Sequence, residues 1–156
     1  MCTTELSVTV CAVTEIPRLD RQVCFALYSA SRAATAVYRP VLDDMGLTYP
    51  QYLVMLVLWE SEPRGVKELG EELGLDSGTL SPLLKRLEAL GLVERRRSGE
   101  DERRVAVHLT SAGRSLSAKA AAIPQRLAKS AGLSPRELEQ LRETLGKLTA
   151  ALHNAV

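Results

Sequence analysis

Apolar residues recur at Leu19, Val23, Leu27, Ala30, Ala34, Val37 and Val41, in steps of three and four. That period lays one apolar stripe along a helix and predicts an amphipathic helix from about 19 to 45. Pro40 should bend it, because proline removes an internal hydrogen bond and crowds the preceding turn, and Gly46 supplies a stop. "TYPQ" at 48–51 then reads as a helix start, with a threonine cap, an early proline and a glutamine three residues after the cap. The helix that follows, 49–61, is apolar on nearly every side, which places it at the buried centre of a domain.

"VKELGEELGL", 66–75, predicts a short helix with Val66, Leu69 and Leu73 inward and Gly74 free for a tight turn. Asp76 or Ser77 caps the next helix, "SGTLSPLLKRLEALG". Leu80, Leu83, Leu84, Leu87 and Leu90 line one of its faces; Ser77, Thr79, Ser81, Lys85 and Arg86 lie largely on the other. Pro82 should make it irregular. "LVERRR" and "RVAVHLT" flank "SGEDER", and Val105, Val107 and Leu109 alternate with polar neighbours, the period of a β-hairpin with a charged tip. Thr110 caps a helix predicted over 111–129. "SPRE" at 134–137 opens the last helix, whose Leu138, Leu141, Leu145, Leu148 and Leu152 form a narrow seam of the kind paired helices use. The fold class is therefore mainly α with a small β element.

With 156 residues, 46% of them hydrophobic and 25% charged, the chain can bury one core. Its longest apolar run, "YLVMLVLW", is roughly a third of a membrane span, so no membrane role is expected. The opening residues lack a signal-peptide pattern and read as a flexible arm over 1–18. The three cysteines, Cys2, Cys11 and Cys24, all stand near the start and cannot staple the remainder, which suits a reducing cytoplasm. Twenty basic residues almost balance 19 acidic ones, so only local arrangement can point to nucleic acid.

The order short helix, glycine turn, second helix, hairpin is that of a winged helix-turn-helix, here spanning about 49–110. A recognition helix needs short hydrogen-bonding side chains at its start so that the backbone can approach base edges, and Ser77, Gly78, Thr79 and Ser81 supply them. Lys85 and Arg86 have the length to reach phosphates. Arg103 or Arg104 at the hairpin tip can enter a minor groove, whose negative potential attracts guanidinium groups. Arg95, Arg96 and Arg97 lie at the hairpin base, where they can meet the DNA backbone. An arginine run is in most proteins simply a solvated face. What favours DNA is the coincidence of a polar helix start, a basic hairpin and a leucine seam for a two-fold dimer facing a palindromic operator.

"LTYPQYLVMLVLWE", "LDSGTLSPLLKRLEALGLVERRRSGEDERRVAVHLT" and "QVCFALYSASR" together resemble the organic hydroperoxide resistance regulator branch of the MarR family of repressors, over roughly 19–153. The resemblance implies a homodimeric repressor of double-stranded DNA, with a single domain over 19–156 and dimerisation helices at about 19–45 and 111–153. It implies that the helix beginning near Ser77 reads the major groove, and that Arg103, braced by Asp101, enters the minor groove.

A thiolate attacks a peroxide, so a sensing cysteine needs donors that stabilise negative charge, and phenolic hydroxyls are such donors. Tyr28 lies one turn beyond Cys24, and Tyr38 follows on the same predicted helix. The resemblance implies that Tyr28 and Tyr38 reach the cysteine from the partner subunit, and that residues 23–27, with Phe25, form an apolar entrance for organic hydroperoxides. With no cysteine after Cys24, the chain resembles the one-cysteine type, in which the sulfenic acid is captured by a small thiol or overoxidised.

Other readings stay open on the residues alone. A lone cysteine on an amphipathic helix is otherwise a small buried hydrophobe, and the repressor could instead be released by a small aromatic ligand. A winged helix can also bind proteins. No enzyme is expected, because neither His108 nor His153 is placed beside Cys24 by any motif. Nothing in the chain requires a cofactor, and its three cysteines and two histidines stand at spacings that make no metal site.

Overall fold

The structure, a computed structural model, describes residues 18–97 and 105–155. Cys2, Cys11, Asp101, Arg103 and Arg104 lie outside the described residues. The chain divides between Ala33 and Ala34 into two compact units.

In the N-terminal unit a single 3-10 turn, Leu19–Arg21, leads into α1, Val23–Met45. The predicted helix thus begins later than Leu19, because Gln22 takes an extended backbone between turn and helix. Within this unit Leu19, Val23, Phe25 and Tyr28 are exposed.

In the second unit α1 continues through Pro40 to Met45, and Gly46 turns the chain at φ 67°, a backbone that costs only glycine nothing. α2, Tyr49–Glu60, starts where the sequence predicts. The Gln51 side-chain carbonyl accepts from the Thr48 N–H at 2.8 Å and the Thr48 hydroxyl at 3.1 Å, so this buried amide oxygen is satisfied. Val54, Met55 and Leu58 on α2 are buried, and around them pack α3 (Val66–Leu73), α4 (Ser77–Ala89) and α5 (Ser111–Ala120). Leu69, Leu80, Leu84 and Leu87 belong to the same core. Leu90, predicted inward, is 50% exposed, because it follows the last turn of α4 as its C-cap.

The hairpin forms as β2 (Val93–Arg97) and β3 (Val105–Leu109), antiparallel, with Val93 opposite Leu109 and Arg95 opposite Val107. Val107 and Leu109 are buried, matching the predicted alternation. A two-residue strand, β1 (Arg64–Gly65), pairs with the other edge of β3 and gives the order β1-β3-β2. Nothing in the period of the sequence signals β1. The helix predicted over 111–129 is two helices, α5 and α6 (Ile123–Ala131). Pro124 accounts for the break, since its ring crowds the carbonyl four residues earlier, where α5 ends. The last helix, α7 (Pro135–His153), is capped by Ser134, which accepts from the Glu137 N–H while Glu137 accepts from the Ser134 N–H. On it Leu141, Leu145 and Leu152 are exposed. No helix among the described residues is long and apolar enough to cross a membrane.

Candidate functional site

The start of α4 is set by Asp76. Its carboxylate accepts from the Thr79 N–H at 2.8 Å and from the Thr79 hydroxyl at 3.1 Å. Those bonds hold the Asp76 carboxyl below its ordinary range. The first turn therefore presents Ser77 and Thr79 at the surface, with the Thr79 hydroxyl turned toward the cap. Gly78 packs close beneath: a Cβ there would stand 3.0 Å from the Asp76 carboxylate. Ser81 is half-buried, and Lys85 and Arg86 are exposed. Neither of these two cations meets a carboxylate among the described residues.

On the wing, Arg95 is engaged. The Glu88 carboxylate accepts from the Arg95 backbone N–H at 3.3 Å, from Nε at 3.0 Å and from Nη2 at 2.6 Å. The guanidinium holds the Glu88 carboxyl below its ordinary range, against a smaller opposing effect of burial. Arg96 pairs with Glu94 and stays mostly exposed.

A second carboxylate, Glu62, sits at the foot of the wing. It accepts from the Leu109 N–H and from Arg114 Nε, each at 2.6 Å, joining the α2–β1 connection to the end of β3 and to α5. Trp59 Nε1–H donates to the Gly113 carbonyl at 2.8 Å and secures the same junction. Sequence reading misses both, because neither residue carries a periodic signal and their partners lie about 50 positions away.

In the N-terminal unit Cys24 is an exposed free thiol. Tyr28, one turn on, is 57% exposed, and Arg32 Nη1 donates to its hydroxyl at 3.2 Å. In the second unit Tyr38 stacks on Tyr49 and meets Tyr52 edge-on, and Tyr52 in turn meets Trp59. Burial, followed by the neighbouring Tyr49, pushes the Tyr38 phenol up, further from ionising than an ordinary phenol. Tyr49, which carries no signal of its own in the period of α2, joins the site through this stack. Its place in "TYPQY", eleven residues after Tyr38, is the available signal.

The family model for the transcriptional regulators SarA/Rot matches residues 36–120. Over 136 residues the chain is 48% identical to the organic hydroperoxide resistance transcriptional regulator of Bacillus subtilis, covering 87% of this chain and 92% of that one. The chain belongs to the organic hydroperoxide resistance branch of the MarR-type transcriptional regulators. Solved structures agree in fold. AbfR of Staphylococcus epidermidis, reduced and bound to DNA, superposes with TM-score 0.71 at 37% identity, covering 86% of this chain and 94% of that one. Overoxidised AbfR bound to DNA gives TM-score 0.71 at 36% identity, covering 86% and 95%. In this MarR-type regulator α3 and α4 are the helix-turn-helix, and β2 with β3 is the wing. Its described relatives are regulators of transcription, and no enzyme family is indicated.

Proposed function

We propose that the chain is a homodimeric repressor that binds a palindromic operator and leaves it when Cys24 is oxidised by an organic hydroperoxide. The observation that carries this reading is the exposed free thiol of Cys24, one turn before the exposed Tyr28, in a chain so similar to a hydroperoxide resistance regulator. The apolar residues left exposed on the N-terminal unit and on α7 support dimerisation through helices 19–45 and 111–153, since such surfaces are usually covered.

In the reaction, the Cys24 thiolate attacks the outer peroxide oxygen. The O–O bond breaks, an alcohol leaves after taking up a proton, and the sulfur becomes a sulfenic acid, oxidised by two electrons as the peroxide is reduced. A small thiol then condenses with it, forming a mixed disulfide and water. The added volume in a packed interface moves the recognition helices off the operator spacing. AbfR is found on DNA both reduced and overoxidised, which suits release by the mixed disulfide rather than by oxygen added at the sulfur.

Ser77, Thr79 and Ser81 face base edges, Lys85 and Arg86 face phosphates, and the wing carries Arg95 and Arg96 together with Asp101 and Arg103. The operator has half-sites about one helical turn apart.

The test is fluorescence anisotropy on a labelled palindromic, A·T-rich duplex. Wild type should bind, and cumene hydroperoxide with a small thiol should release it, while Cys24→Ser binds equally and stays bound. Release of Cys24→Ser by peroxide would overturn the mechanism and leave a small aromatic ligand as the effector to test next.

A further inference from the structure

Three arginines follow one another at 95–97, and composition treats them alike; the structure does not. We propose that Arg95 is a positioning residue of the DNA interface and not a phosphate ligand, locked by Glu88 so that the wing is held at a fixed setting against the recognition helix. This rests on the DNA-binding reading above and narrows it.

One carboxylate grips Arg95 twice, at its main chain and at its guanidinium. A surface ion pair between two flexible side chains leaves both backbones free to move. Here the strand's own N–H is part of the grip, so the backbone of β2 is tied to α4. The tie falls on the middle row of the sheet: Arg95 opposes Val107, and Val107 opposes Arg64 on its other edge. Val107 is fully buried, so that row cannot slide without opening the core. At the other end, Glu88 follows Lys85 and Arg86 by less than a turn on the helix that begins at Ser77. A rotation of the wing about this tie would change its distance from every residue of α4 offered to DNA.

Electrostatics separates Arg95 from the free cations. The pair is partly exposed, with side-chain exposures of 31% and 36%, and its net charge is zero. A phosphate approaching Arg95 meets the Glu88 carboxylate bonded to it, whereas Lys85 and Arg86 pair with no carboxylate among the described residues. Arg96 differs again. Its partner Glu94 lies on its own strand, and its side chain is 63% exposed, so that pair fixes no second element.

The two roles predict different salt behaviour. Each neutralised phosphate adds about 0.9 to the slope of log K against log salt. Measured by anisotropy between 50 and 300 mM salt, about the range where such slopes are read, Lys85→Ala should lose about one such increment. Arg95→Ala, Glu88→Gln and the double variant should each weaken binding by a similar factor, on the order of tenfold, without adding to one another. All three should keep the wild-type slope. Arg95→Lys, which keeps the charge but not the fork, should behave like Arg95→Ala. A slope lowered by one phosphate in Arg95→Ala, rescue by Arg95→Lys, or unchanged or tighter binding by Glu88→Gln would overturn the proposal. An NMR titration of the Glu88 carboxyl needs no DNA. It should fall below the ordinary carboxylate range in wild type and return to it in Arg95→Ala; no change would overturn the brace. Failure of wild type to bind any palindromic duplex would remove the DNA reading and the positioning role together, with the titration still showing whether the brace exists.

Discussion

The rings of Tyr38 and Tyr49 stack with centroids 5.6 Å apart and planes 26° from parallel. They stand on consecutive helices joined by the Gly46 turn, and Tyr52 meets both, at 6.3 Å from each. The stack gives Tyr38 two separable properties: a ring that packs, and a hydroxyl whose proton burial holds more firmly than in an ordinary phenol.

Substitution should separate them. Tyr38→Phe keeps the ring and should change folding stability by less than about 1 kcal/mol, while slowing the loss of the Cys24 thiol to organic hydroperoxide. Tyr38→Ala removes the stack and should cost about 1–3 kcal/mol in denaturant unfolding. If the phenylalanine variant reacts with peroxide as fast as wild type, the hydroxyl has no part in sensing.

Cys2→Ser and Cys11→Ser should leave peroxide release intact, because a small thiol, and not a second cysteine of the chain, completes the reaction in this reading. Mass spectrometry after treatment with hydroperoxide and a small thiol should find the adduct on Cys24. An internal disulfide from Cys24 to Cys2 or Cys11 would replace the one-cysteine scheme with a two-cysteine one.

Gly113 should not tolerate a side chain. A Cβ there would lie 2.1 Å from the Leu92 carbonyl oxygen, which is itself anchored by the Thr110 N–H at 3.0 Å and the Thr110 hydroxyl at 3.2 Å. Gly113→Ala should therefore reach or exceed the upper end of the about 1–3 kcal/mol that overpacking costs. Trp59→Phe, which loses the 2.8 Å bond to the Gly113 carbonyl and part of the ring packed against Tyr52, should cost about 1–3 kcal/mol. Thermal unfolding ranks the two, and an alanine variant as stable as wild type would contradict this packing.

Glu62 should make stability depend on pH. Burial pushes its carboxyl up, but the Leu109 N–H and the Arg114 guanidinium outweigh that effect and hold it below the ordinary carboxylate range. A depressed folded value means stability that is present above the unfolded value, about 4.3, and is lost as pH falls through the folded value. Glu62→Gln should cost about 1 kcal/mol at pH 7, a figure reduced for the exposure of Arg114. The gap between variant and wild type should close in acid, as urea unfolding across the carboxylate range would show; a gap that stays constant would mean that Glu62 acts through packing.

The local elements were legible because their causes are local. The spacing of Leu80, Leu84 and Leu87 puts them on one face within a few turns, and all three are buried. The cap at Ser134 and the left-handed turn at Gly74 depend on a few neighbouring residues, and both stand where the pattern places them. Even the break at Pro124 is written in the chain, though the helix-forming residues on both sides of it read as one helix. Cys24 could be singled out only through resemblance, since a single thiol on a helix has no distinguishing spacing.

The remaining features arise from pairings between residues far apart in the chain. β1 is two residues, Arg64 and Gly65, and is a strand only because Ala106 and Val107 lie opposite. Glu88 and Arg95 read as two more charges in a charged stretch until the turn at Gly91 folds β2 back along α4. Glu62 and Arg114, Trp59 and Gly113, and the tyrosine stack arise in the same way. Periodicity reports which side of an element is apolar. It carries no distance between elements, and a hydrogen bond or a ring contact requires its partners at one distance and in one orientation, which packing of the assembled core supplies.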